Sequence, residues 1–186
     1  MTDEAIRKRE SWLVLRAQSG DTEALNELLK AVQEPLFRYV LSMVREQALA
    51  EDVLQEVFLR IYRKIGYLRE PEVFRAWVYQ IATRESFRHL KRERRWTEQV
   101  SDEAALNTIP VSPSHEEFAP ELLKCLPQLV AGLSPASRAV IVLYYLHEMS
   151  LDEVGTVLEI PIGTVKSRLA YGLASLRDQI HESALK

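Results

Sequence analysis

Residues 160–177, IPIGTVKSRLAYGLASLR, gather Thr164, Lys166, Ser167, Arg168 and Tyr171 and contain no acidic residue. Hydroxyls and a guanidinium on the opening turns of a helix suit nucleic acid, because Thr and Ser bond phosphates or base edges and Arg bonds guanine bidentately. Val165, Leu169, Leu173 and Leu176 recur at helical spacing as a buried stripe, which puts the polar set on the opposite face with Lys166 alongside. The preceding residues 150–159, SLDEVGTVLE, read as a short helix opened by a capping box of Ser150 and Glu153. A tight break follows at residues 159–161, and the spacing is that of a helix-turn-helix. Gly155 stands where the first helix must approach the second closely. An amphipathic helix with a merely solvated polar face is the competing reading. The break, the small residue and the acid-free face together count against it.

A second cationic set lies upstream. Residues 84–96, RESFRHLKRERRW, carry Arg84, Arg88, Lys91, Arg92, Arg94 and Arg95 against Glu85 and Glu93, a net of +4. Such a patch neutralises phosphates. Residues 97–123 then hold six acidic residues and no Lys or Arg, with Pro110, Pro113 and Pro120 among Ser, Thr and Asn, which is a linker composition. The net charge of −3 over 186 residues hides a basic patch beside an acidic tether.

The elements that position these residues are helical. Asp21, Ser134 ahead of Pro135, and Ser150 mark helix starts. In residues 49–65, LAEDVLQEVFLRIYRKI, Val53, Val57, Ile61 and Ile65 recur every fourth position, and Leu54 and Phe58 widen the stripe. Asp52, Gln55, Glu56, Arg60 and Arg63 line the other side. Phe74, Trp77, Val78, Ile81 and Ala82 then supply a packed face that runs into the basic patch. Tyr79 and the exposed part of Trp77 stay open to another role. The fold class expected is all-α: two small helical domains joined by an acidic, Pro-containing linker, the C-terminal one a helix-turn-helix. The boundaries expected are residues 1–96, 97–121 and 122–186.

Several classes are disfavoured. The apolar run AVIVLYYL at residues 139–146 is too short to cross a bilayer, so no membrane span is expected. The N-terminus is charged from its third residue and lacks a signal peptide's apolar core, which points to a cytoplasmic protein. A single cysteine, Cys125 between apolar flanks, reads as a buried structural thiol. The four histidines, His89, His115, His147 and His181, lie far apart, so no metal site is expected. With no nucleophile–base set and no phosphate-cradling glycine loop, neither an enzyme nor a cofactor is expected.

Three motifs now stand in one chain in order: AEDVLQEVFLRIYRKI, FRAWVYQIA and IPIGTVKSRL. Together they resemble the core-polymerase-binding, promoter-melting and upstream-element-recognition segments of a bacterial extracytoplasmic-function (ECF) sigma factor. The resemblance covers roughly residues 20–95 and 121–179. It implies core RNA polymerase, promoter DNA and an inhibitory anti-sigma factor as partners. By position, it implies that Asp52, Gln55, Glu56 and Arg60 contact the clamp helices of the largest catalytic polymerase subunit. It further implies that the loop at residues 66–73 holds a flipped base, and that Trp77, Tyr79, Arg88, Lys91, Arg92 and Arg95 serve the downstream element and melting. Thr164, Lys166, Ser167, Arg168 and Tyr171 would read the upstream element in its major groove. The chain departs from the family pattern at Arg84 and Arg88, where Asn and Asp are common, at Tyr171, where Arg is common, and in the loop GYLREPEV. The rival from another class is a stand-alone helix-turn-helix regulator that binds DNA as a dimer, which leaves the polar stripe from Asp52 to Arg63 unexplained.

Overall fold

A computed structural model describes residues 3–94 and 129–184, and among them it contains helices and turns but no strand. The all-α expectation holds. The chain divides into two compact units, Met1–His89 and Leu90–Lys186. The expected linker at residues 97–121, Cys125 and Arg95 lie outside the described residues.

The first unit is built on α1 (Asp3–Gln18), α2 (Thr22–Val44), α3 (Gln47–Lys64) and α4 (Phe74–Arg94), the last of which runs five residues past the unit boundary at His89. Two short 3-10 turns, Ile65–Tyr67 and Pro71–Val73, join α3 to α4. Asp21 starts α2 as the sequence predicts: its carboxylate accepts from the N–H groups of Glu23 and Ala24, both at 3.0 Å. The Ala24 N–H bond and the Arg16 guanidinium hold the Asp21 carboxyl below the usual carboxylate range. At its other end α2 closes on Arg45 in the left-handed region (φ 68°), whose N–H reaches the Leu41 carbonyl at 2.8 Å.

The α3 stripe of Val53, Val57, Ile61 and Ile65 is buried throughout. Each such side chain contributes about 1.5–3 kcal/mol on leaving water. On α4, Phe74, Val78, Ile81 and Ala82 are buried as expected, but so are Tyr79, Thr83, Glu85 and Ser86. This helix is enclosed over most of its circumference. Buried Tyr39 of α2 pairs its hydroxyl with Thr83 Oγ1 at 2.7 Å and meets the Tyr79 ring edge-on at 5.5 Å.

The second unit contains a 3-10 turn (Val130–Gly132), α5 (Pro135–Ile141) running into a π-turn (Val142–Leu146), α6 (Leu151–Leu158) and α7 (Ile162–Ala184). Ser134 caps α5 through the Ser137 N–H, with Pro135 at a first-turn position. Arg138 is buried at 5% exposure and donates to the carbonyls of Val130, Ala131 and Leu133 at 2.9–3.0 Å. That one guanidinium bonds three carbonyls of a turn whose own backbone closure is the Leu133 N–H to Val130 carbonyl bond at 3.1 Å. α5 packs on α7 beside Gly172, where a Cβ would sit 2.5 Å from Ile141 Cδ1 and force that side chain to shift.

Candidate functional site

α6 and α7 form the expected helix-turn-helix. The capping box is complete: Ser150 Oγ accepts from the Glu153 N–H at 3.2 Å, and Glu153 Oε2 accepts from the Ser150 N–H at 2.9 Å. Glu159 turns left-handed (φ 55°), the Ile160 N–H bonds the Gly155 carbonyl at 3.1 Å, and α7 starts after Pro161. A Cβ on Gly155 would lie 3.1 Å from the Ile160 carbonyl oxygen and 3.7 Å from Val165 Cγ2, so the small residue permits the tight turn. Val165 and Leu176 are fully buried while Leu169 and Leu173 are half-buried, so the stripe faces inward.

The opposite face of α7 carries the polar set. Lys166 and Tyr171 are exposed, Thr164, Ser167 and Arg168 half-exposed. Lys166 and Arg168 have no ion-pair partner among the described residues. Ser167 spends its hydroxyl hydrogen on the Gly163 carbonyl at 2.9 Å, leaving its oxygen lone pairs for an outside donor. Ile162, absent from the expected set, is also exposed at the head of the helix.

The first unit is organised differently. Asp52 and Gln55 stand exposed on α3. Gln55 borders a groove between α2 and α3 lined by Phe37, Leu54 and Phe58. Glu56 and Arg60, expected on the same protein-binding stripe, are tied to α4. Arg60 Nε lies 2.6 Å from Glu85 Oε1, and Arg88 Nη2 lies 2.8 Å from Glu85 Oε2. Arg88 also pairs with Glu56, and His89 Nε2 lies 3.5 Å from Glu56 Oε1. Glu85, with only 5% of its side chain exposed, is the centre of this cluster. Burial works to raise the Glu56 pKa, but the Arg88 guanidinium and the hydrogen bonding around Glu56 outweigh it and hold the carboxyl below its usual range.

Two residues of the downstream-element set are engaged by neighbouring side chains of the first unit. Tyr79 is 6% exposed and packs against Tyr39, so it belongs to the core; burial pushes its phenol up to about 12. Arg88 is exposed but already paired with two carboxylates, Glu85 and Glu56. Trp77 is half-buried against Phe74, with ring centroids 6.3 Å apart. Lys91 and Arg92 are exposed, without ion-pair partners among the described residues.

Residues that sequence reading passed over also appear. Tyr67 stands out from the α3–α4 loop at 84% exposure. Gln18 donates from the end of α1 to the carbonyls of Ile65 and Leu68. The Glu85–Arg88 spacing of three residues on one helix was a readable signal for an ion pair; the Arg60–Glu85 and Gln18 contacts join distant segments and had none.

Comparison with known proteins agrees with this two-part construction. Residues 28–96 match the family model for sigma-70 region 2, and residues 129–178 that for sigma-70 region 4. The ECF RNA polymerase sigma factor SigW of Bacillus subtilis (strain 168) is 28% identical, covering 95% of this chain and 97% of its own length. The ECF RNA polymerase sigma-E factor of Escherichia coli (strain K12) is 28% identical, covering 84% of this chain and 86% of its own. Among solved structures, CnrH in complex with the cytosolic domain of CnrY has the same fold, with a TM-score of 0.69, 23% identity and coverage of 94% and 98%. So does RpoE in complex with the anti-sigma factor NepR from Bartonella quintana, with a TM-score of 0.65, 18% identity and coverage of 84% and 96%.

Proposed function

Carrying region 2 and region 4 in one chain, the protein belongs to the sigma-70 family as an ECF-type RNA polymerase sigma factor, and from that premise we propose how its surfaces divide the work of promoter-specific initiation. Asp52 and Gln55, exposed beside the α2–α3 groove, meet core polymerase. Thr164, Lys166, Ser167, Arg168 and Tyr171 enter the major groove of the upstream element. Lys91, Arg92 and Arg95, with the exposed edge of Trp77, lie along the downstream element. Glu56, Arg60 and Arg88 act mainly as the joint that holds α3 against α4, keeping the polymerase-facing and DNA-facing helices in fixed register within the first unit.

The observation that carries this reading is the polar face of α7: two cations without ion-pair partners among the described residues, on the first turns of a capped helix-turn-helix. Polymerase binds DNA largely through phosphates, without sequence preference, and this face supplies the preference. Melting requires no catalytic side chain. Unstacking costs a few kcal/mol per base, and capture of an extruded base returns about 1–3 kcal/mol. The loop at residues 66–73, with Tyr67 exposed on it, is the surface proposed to hold that base. The negative net charge makes free DNA binding weak, so specificity belongs to the complex with polymerase, in the cytoplasm. An anti-sigma factor, the kind of partner named for the Bartonella quintana protein, is proposed to cover these surfaces until initiation is required.

The test is gel filtration of this chain with sigma-free core polymerase, followed by transcription from a genomic fragment library. Co-elution and initiation at start sites that share two upstream elements are expected. DNA binding as a dimer with no co-elution would favour the stand-alone regulator and overturn the proposal.

A further inference from the structure

Helix α1 precedes the segment matched to region 2, yet it grips the loop that follows α3 at both ends. Gln18, the last residue of α1, sends Nε2 to the Ile65 carbonyl at 2.9 Å and to the Leu68 carbonyl at 2.7 Å. Both amide hydrogens are therefore spent on a span of four residues, and only the NH2 side of the amide serves two carbonyls. At the far end, Arg75, one residue into α4, makes a forked contact with Glu10 of α1: Nε at 2.9 Å from both carboxylate oxygens and Nη2 at 2.8 Å from Oε1. Glu10 keeps only 10% of its side chain exposed, so this carboxylate is fixed in place.

Between these two grips the loop alternates anchors and open positions. Leu68 and Phe74 are buried, while Tyr67 is 84% exposed and Val73 is also exposed. An aromatic ring standing free on a backbone bonded two residues before it and one residue after it is a preorganised stacking platform: the ordering cost of the loop is met before any base arrives. A helix that merely completed the domain core would have no need to spend a side-chain amide on two loop carbonyls across a gap of about fifty residues.

We propose that α1 is a brace for the loop at residues 66–73, and that Gln18 is the positioning residue which sets the shape in which Tyr67 and the loop receive an extruded base. The inference rests on the reading of that loop as base-holding. Gln18 touches no DNA; it acts through the carbonyls of Ile65 and Leu68.

The experiment uses holoenzyme assembled from core polymerase and either the wild-type chain or Gln18→Ala, on the promoter identified by the library. Each non-template base of the downstream element is replaced in turn by an abasic site, and opening is read by permanganate reactivity. Wild type is expected to lose about tenfold in opening at one position, the order of one stacked base. Gln18→Ala is expected to show that loss on intact DNA and no further loss when the same base is removed, with polymerase affinity unchanged. Gln18→Met, of similar length but without the amide donors, behaves the same way and keeps the test independent of any packing defect. Gln18 variants that open intact DNA like wild type, or that still lose a further tenfold when the base is removed, overturn the brace and leave the loop reading standing. So does a lowered unfolding temperature with intact base sensitivity. If wild type is insensitive at every position, the loop holds no base, and the reading and the inference fall together.

Discussion

Two cationic regions of this chain look alike in sequence and differ in structure. On α7, Lys166 and Arg168 have no ion-pair partner among the described residues, whereas at the joint of α3 and α4, Arg60 and Arg88 are bound to Glu85 and Glu56. A guanidinium already paired with carboxylates must give up those contacts before it can neutralise a phosphate; one facing water gives up only hydration. Positive charge in a run of sequence therefore does not measure what is available to nucleic acid. The same contrast divides α3 itself, where Asp52 and Gln55 are exposed while the half-exposed Glu56 and Arg60 are paired with α4.

The strongest way to break that contrast lies on α3. Asp52→Ala with Gln55→Ala is expected to weaken core-polymerase binding by about 2–4 kcal/mol, as loss of a central contact does, measured by fluorescence titration; normal binding would remove the stripe from the interface. Glu85→Ala removes the shared carboxylate and leaves two guanidinium groups without it. A fully buried pair broken this way costs about 3–5 kcal/mol, and the partial exposure of Arg60 and Arg88 lowers the expectation to about 2 kcal/mol, read from the urea midpoint. Ser167→Ala is expected to change promoter affinity by less than about 0.5 kcal/mol relative to the Arg168 contact, because its hydrogen is already spent on the Gly163 carbonyl.

The smallest effect concerns pH. The folded-state pKa of Glu56 lies below its unfolded value, so its contribution is complete above the ordinary carboxylate range and is lost as pH falls through the lowered value. Acid titration of wild type followed by urea unfolding is expected to show that loss, and Glu56→Gln to lack that part of it.

Local signals were legible in the sequence because their causes are local. Asp21, Ser134 and the Ser150–Glu153 box cap helices through bonds spanning two or three residues, and each stands where the sequence placed it. The α3 stripe was legible because one face of that helix is buried and the other is not. α4 defeats the same reasoning: Tyr79, Thr83, Glu85 and Ser86 are buried beside the expected apolar face, so periodicity no longer separates inside from outside and leaves the placement of Tyr79 open. The pairing of Glu56 with Arg88 joins residues 32 apart, and Gln18 reaches 47 and 50 residues along the chain. Such contacts have no period to betray them. Gly172 was missed for a related reason: its importance lies in how near Ile141 comes, which only the packed helices reveal.

The most direct test of the contrast is the salt dependence of holoenzyme binding to its promoter. Each phosphate neutralised adds about 0.9 to the slope of log affinity against log salt. Lys166→Ala with Arg168→Ala is expected to flatten that slope by about 1–2 through lost DNA contacts, while Arg88→Ala leaves it nearly unchanged and lowers stability instead. A loss of slope for Arg88→Ala as large as that of the α7 pair would contradict the account, placing Arg88 on the DNA and not in the joint.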